Sequence, residues 1–163
     1  MRHFDSLGSF AGHLLTLQVK EVLALHEGLK VCAKHVEATA KDEIGFYQQA
    51  VGPFPAWAPL ADSTEAEKAR LGYEPDAPLL RKGDLRDSIS HQVGALEAVI
   101  GSPDPVALYQ EIGTPTIPPR PFLGPAVIHN GERIKRILGA SAFSGLVGAD
   151  PIHAALGYEG EVS

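Results

Sequence analysis

The sequence has one cysteine, Cys32, one tryptophan, Trp57, and one methionine, Met1. A lone cysteine excludes an intramolecular disulfide and any cysteine-rich metal cage, and it suits assembly in a reducing cytoplasm. Basic residues are also scarce: Lys and Arg number 14 against 20 Asp and Glu, a formal net charge of -6. That sign is wrong for a protein whose task is to grip phosphate backbones, because such binding rests on cations that displace counterions. No apolar run approaches the ~20 residues of a membrane span. The opening MRHFDSLGSFAGHLL lacks the charged start, unbroken apolar stretch and small-residue cleavage site of a signal peptide. The expectation is a protein that is made and remains in water. P-loop, GxGxxG and nucleophile-elbow patterns are missing as well.

What is present describes an ordinary globular chain of 163 residues, 44% apolar and 21% charged, long enough for one core. The single domain is expected to have its core at about residues 14–139, with 140–163 as an extended C-terminal arm. Gly 17 and Pro 13 point to punctuated connections between few elements. Leu15, Val19, Val22, His26, Leu29, Ala33, Val36 and Ala40 recur at a 4-3-4-3 spacing, the stripe of an α-helix, widened by Leu25 and Cys32. The spacing predicts a helix from about Leu14 to Gln49. Such a helix either breaks near Gly28 or Gly45 or extends beyond its own domain to meet neighbours.

Val51 to Leu80, with five prolines, reads as an extended excursion anchored by Trp57 and Leu60. Ser63 and Thr64, followed by Glu65 and Glu67, predict a short hydroxyl-capped helix that ends before Gly72. Ile89, His91 and Val93 alternate with Ser88, Ser90 and Gln92, the period of a strand with one wetter face. The strand starts near Arg86, Gly94-Ala95 turns it, and Glu97 to Gly101 returns beside it. Asp104-Pro105 opens a helix over Val106 to Ile112, which Gly113 ends. From Phe122 to Gly139 the pattern predicts a second major helix, with Arg133, Lys135 and Arg136 near its end. The fold class is therefore α+β: a long N-terminal helix, a small antiparallel sheet and a C-terminal helix, joined by Pro/Gly-rich loops and arms.

The candidates for chemistry are few. Seven histidines occupy separate segments without ligand spacing, so no metal site is expected. His26, on the helical stripe, reads as a hydrogen-bonded histidine at a core or subunit contact. His91 with a neighbouring serine would be the start of a hydrolase, the weaker alternative. Glu65/Glu67 and Asp84/Asp87 read as solvated acids, and Cys32 as a small buried apolar residue. No catalytic group and no cofactor are assigned.

One segment does stand out. In Tyr109 to Ala126, YQEIGTPTIPPRPFLGPA, the prolines at 118, 119 and 121 restrict the backbone on both sides of Arg120. A stiff loop loses less entropy on binding, which favours an interface. The expectation is a subunit contact built from Tyr109, Glu111, Pro118, Pro119, Arg120, Phe122 and Leu123. Tyr109 and Phe122 would seat the loop, Leu123 would help anchor it, and Arg120 would project to a neighbour or pair with Glu111.

Four stretches in order, WAPLADSTEAEKARLGY, LLRKGDLRDSISHQV, AVIGSPDPVALYQEIGT and IPPRPFLGPA, resemble the tail-completion or virion-morphogenesis proteins of tailed double-stranded DNA bacteriophages. The matching positions are Trp57, Pro59 and Leu60; Leu79, Gly83, Leu85, Ser88 and Ile89; Tyr109, Gly113 and Thr114; and Pro118, Arg120, Pro121, Phe122 and Leu123. They span Phe54 to Ala126, about half the chain. The resemblance implies a small α+β subunit that assembles as a ring, commonly a hexameric one, at the neck between capsid connector and tail tube. It implies no catalysis and no cofactor. Partners would be copies of the chain and neck or tail-tube proteins, with DNA passing through the lumen without specific binding, in a virion assembled in the host cytoplasm. A tail assembly chaperone is the alternative within the same setting.

Overall fold

A computed structural model describes residues 5–147. Its elements are the helix α1 (Leu7–Glu43), α2 (Asp62–Arg70), α3 (Asp84–Ser88), the strands β1 (Ser90–Val93) and β2 (Ala98–Gly101), then α4 (Pro105–Ile112), α5 (Leu123–His129) and α6 (Gly131–Val147). The chain is α+β, with a long N-terminal helix, a two-stranded antiparallel sheet and a C-terminal helix. Its residues group into two compact units. One takes in residues up to Cys32, Val93–Ala98 and the residues from Arg133; the other takes in Ala33–Gln92 and Val99–Glu132.

In the first unit, α1 packs closely on α6. A Cβ placed on Gly28 would lie 2.4 Å from Ser141 Oγ, and one on Gly145 would lie 2.5 Å from the Glu21 Cα. Both glycines therefore permit a backbone approach that any side chain would block. This explains why Gly28 leaves α1 unbroken: its use is contact rather than flexibility. His26 Nδ1 donates to Gly94 O at 2.7 Å, which ties the hairpin turn to the helix and leaves the histidine half-buried. Cys32 is buried, and desolvation raises its thiol pKa, so it behaves as a small apolar residue.

The second unit holds most of the core. Val36, Ala40, Ile44, Trp57, Leu85, Ile89, Phe122 and Ala126 are all buried, with Phe122 and Ala126 fully so. Helix α1 stops at Glu43, short of the expected Gln49, because Gly45 takes a left-handed φ of 103° and its N–H turns to Pro78 O. It also starts earlier than expected, at Leu7 rather than Leu14.

Three further boundaries differ from expectation. Residues Arg86 to Ser88 coil into α3 instead of starting the strand, with Ser88 Oγ donating to Leu85 O at 2.6 Å. Helix α2 forms where expected, but no side chain caps it; Ser63 and Thr64 lie inside it, and the acids Asp62 and Glu65 sit in its first turn. The second major helix divides at Asn130, which is buried and donates through Nδ2 to Thr39 Oγ1 at 2.8 Å and to Ala126 O at 2.9 Å. An amide that bonds its own backbone competes with the helix ladder, and α6 restarts at Gly131.

Strand β1 keeps the anticipated alternation, with Ser90 and Gln92 exposed and His91 and Val93 half-buried. Helix α4 has the anticipated cap: Asp104 accepts from Val106 N at 2.8 Å. The arm expected from residue 140 is helical up to Val147, because α6 continues through the small residues Ala140, Ser141 and Gly145 against α1. Residues 148–163 lie outside the described residues.

Candidate functional site

The proline segment forms a rigid bracket in the second unit, and its supports come from helix α4 on one side and from the Trp57–Pro59 segment on the other. Helix α4 ends at Gly113, whose φ is 77°. A Cβ there would lie 3.0 Å from Ile117 O and from Pro119, so the tight return needs glycine. Thr114 and Ile117 then pair as an isolated antiparallel bridge, with N–H to O distances of 2.9 and 3.2 Å. Arg120 N donates to Gln110 O at 2.6 Å, closing the loop back onto α4.

Two long-range contacts clamp the far side. Trp57 Nε1 donates to Pro121 O at 2.9 Å. The Arg120 guanidinium forks onto two consecutive carbonyls of the Trp57 segment: Nε and Nη2 reach Ala58 O at 3.3 and 3.0 Å, and Nη2 reaches Pro59 O at 3.0 Å. Arg120 is only 6% exposed. Burial draws its pKa below the usual arginine value, with Tyr47 opposing that shift, and the planar fork suits a bidentate hold on carbonyl oxygens.

Glu111 completes the bracket. Its carboxylate accepts from Phe122 N at 2.9 Å, Leu123 N at 3.2 Å and Gly124 N at 3.2 Å. These are free N–H groups at the start of α5, where Phe122 as N-cap offers no side-chain oxygen. A carboxylate from another helix therefore acts as the cap, placed where a helix dipole favours negative charge.

These positions change the expected contact surface. Arg120 does not project; it is a buried strut, and its partners are carbonyls rather than Glu111. Phe122 is fully buried and seats the loop, so neither residue is offered to a neighbour. Leu123 and Glu111 are half-buried. Tyr109, expected to seat the loop, is 49% exposed, and Pro118 and Pro119 are also exposed. Val106, Leu108 and Ile112 of α4 are exposed too. The run VALYQEI is apolar on more than one side of the helix, so burying Ala107 leaves other apolar faces bare. That was the sequence signal for a surface wider than the loop itself. The carbonyls of Ala58 and Pro59 had no such signal, since every residue carries one.

Beside the bracket lies a cavity of about 700 Å³ lined in part by Leu60, Lys68, Leu79, Gln110, Ile117 and Arg120. Lys68 is buried and its ammonium donates to Ala77 O; desolvation lowers its pKa. Leu79 holds a left-handed φ of 61°, an uncommon conformation for a branched residue.

Other titratable clusters in this unit are accounted for by pairing. His91 Nδ1 bonds Glu37 Oε2, and Lys41 holds the other Glu37 oxygen. Burial alone would raise the Glu37 pKa, but hydrogen bonds from Lys41 and His91 outweigh it and lower it. Ser88 turns to Ser102 Oγ, 2.6 Å away, rather than to His91. Glu67 pairs with Arg81 and Asp87 with Arg86 at the surface. Glu43 is the strained case. It is buried, with Oε1 on His129 Nδ1 at 2.9 Å and Oε2 without a partner; desolvation pushes its pKa up to about 7, His129 draws it down, and Glu111 adds to the rise. Among the described residues no group of three or more His, Cys, Asp or Glu is placed to hold a metal ion, and no helix is long and apolar enough to cross a membrane.

No protein-family model matches this chain, and neither a curated protein nor a solved structure matches it.

Proposed function

We propose that this chain is a structural virion protein of a tailed double-stranded DNA phage, a subunit of a ring at the neck or tail end that completes the tail and joins it to the head. The observation that carries the reading is that residues far apart in the sequence, all within the phage-like stretches, converge on one rigid bracket. Trp57, Gly113, Arg120, Pro121 and Phe122 hold the loop inward. Tyr109, Pro118, Pro119 and Ile112 are left exposed. From Pro105 to Pro119 the only charged residue is Glu111, which is engaged in capping α5. A stiff, nearly charge-free, partly apolar surface suits contact with a neighbouring subunit.

In this reading the protein is not an enzyme and uses no cofactor. Its partners are copies of itself, in a ring of six, and the neck and tail-tube proteins on either side. The net charge of -6 per subunit suits a ring that DNA crosses without being gripped, since like charges repel. The test is mass spectrometry and image reconstruction of purified particles from the phage or prophage that encodes the chain. A ring of this subunit at the neck is expected. Its absence from mature particles, with abundance in the lysate, would transfer the role to an assembly chaperone.

A further inference from the structure

The cavity beside the bracket is built entirely within the second unit, and its charge is unlike that of the rest of the chain. Lys68, Arg81, Lys82 and Arg120 line it, against only two acids, Asp84 and Asp104. The whole chain has the opposite balance, 14 basic residues to 20 acidic ones. One of the two acids is already engaged, since Asp104 caps α4 by accepting from Val106 N.

The cations are also short of counter-charges. Lys68 and Arg120 are 2% and 6% exposed, and both donate to neutral carbonyls, Lys68 to Ala77 O and Arg120 to Ala58 O and Pro59 O. Of the four, only Arg81 forms an ion pair among the described residues, with Glu67 at 3.3 Å on the surface. Desolvation lowers the Lys68 pKa, the Arg81 charge adds to the fall, and Glu74, Asp76 and Glu65 only partly oppose it. Buried charges are ordinarily paired, so this wall lacks negative charge. Its other lining is largely apolar and includes Leu60, Leu79 and Ile117. The left-handed φ of 61° at Leu79 falls in this wall, and backbone strain of that kind gathers at ligand sites. The volume, about 700 Å³, is that of a small-molecule site.

We propose that this cavity binds a small organic anion, its carboxylate meeting the exposed Arg81 and Lys82 and its apolar body lying along Leu60, Leu79 and Ile117. Lys68 and Arg120 are buried too deeply to be touched. They act through their field, which is weakly screened in a wall that excludes water. A bare inorganic anion gains nothing from the apolar lining, and a neutral apolar ligand leaves the cations without a counter-charge. The inference does not rest on the virion reading, because Tyr109, Ile112 and Pro119 of the ring contact lie outside the cavity lining.

The experiment is a proton–nitrogen NMR titration of the full chain with octanoate up to about 10 mM, which covers dissociation constants of millimolar and below. Saturable one-to-one shifts are expected at the amides of Leu79, Lys82 and Ile117. Octanamide, the neutral counterpart, should bind about tenfold more weakly or worse, the value of one charge-assisted hydrogen bond. Inorganic phosphate should also bind more weakly than octanoate. Arg81→Gln with Lys82→Gln should weaken octanoate by about tenfold and leave the unfolding midpoint unchanged, since both side chains are exposed and a surface ion pair contributes little. Absence of saturation with octanoate, octanamide or phosphate binding as tightly, shifts confined to residues outside the cavity, or undiminished affinity in the double variant would each overturn the proposal. Tyr109→Ala should leave octanoate binding intact while weakening the ring contact, so failure of the bracket reading and failure of this one give different results.

Discussion

Replacing Arg120 with alanine separates a buried strut from a docking residue. The guanidinium makes three contacts of 3.0 to 3.3 Å to two carbonyls, and its stem is packed in an almost fully buried site. A hydrogen bond from a charged donor is worth about 1.5 to 3 kcal/mol, and desolvated carbonyls left without a donor add to the loss. Ala58 and Pro59 are exposed residues, so water can reclaim part of their hydrogen bonding. The net cost of Arg120→Ala is therefore about 2 to 3 kcal/mol. Lysine keeps the charge but not the fork, and Arg120→Lys should recover less than half of that. Trp57 is the only tryptophan and bonds Pro121 O next door, which makes its fluorescence a local reporter in urea unfolding. A lower midpoint with an unchanged slope is expected for both variants. An unchanged midpoint for Arg120→Ala, together with a loss of assembly, would refute the strut and return the residue to the interface.

Glu43→Gln tests the buried acid by pH. The folded pKa, about 7, stands above the ordinary value of 4.5, so the stability this group contributes is fully present below pH 4.5 and is lost as pH rises through 7. The urea-derived stability of the glutamine variant relative to wild type should accordingly rise between pH 5 and pH 8.5, by up to roughly 3 kcal/mol; a flat difference would place Glu43 in contact with water. Glu111→Ala removes the acceptor shared by three N–H groups at the start of α5 and should cost about 1 to 2 kcal/mol in the same assay. Loss of its charge should also narrow the pH effect at Glu43, because Glu111 contributes to that shift. Gly145→Ala drives a methyl group into the Glu21 backbone and should destabilise by about 1 to 3 kcal/mol. Gly12→Ala in open space should leave the monomer unchanged or stabilise it by up to ~1 kcal/mol through helix propensity; the reverse order by thermal melting would contradict the α1 and α6 packing.

The sequence by itself determined what depends on neighbours along the chain. Hydrophobic spacing placed α1, alternation placed β1, and the pair Asp104 and Pro105 with Gly113 delimited α4, because caps, turns and periodicity act within a few residues. It also marked the stretch from Pro118 to Phe122 as stiff. Which way that stiff segment turned its arginine was decided only in the folded chain. Prolines limit φ but do not choose a partner, and the partners proved to be carbonyls of Ala58 and Pro59, which no side chain announces. The same holds for Asn130, whose amide found Thr39 and divided a helix that periodicity alone would have continued. Burial along α1 was settled in the same way. The stripe has one pattern from Leu15 to Ala40, but whether it is covered depends on which elements pack against each part of it, and toward the N-terminus the described residues leave it bare.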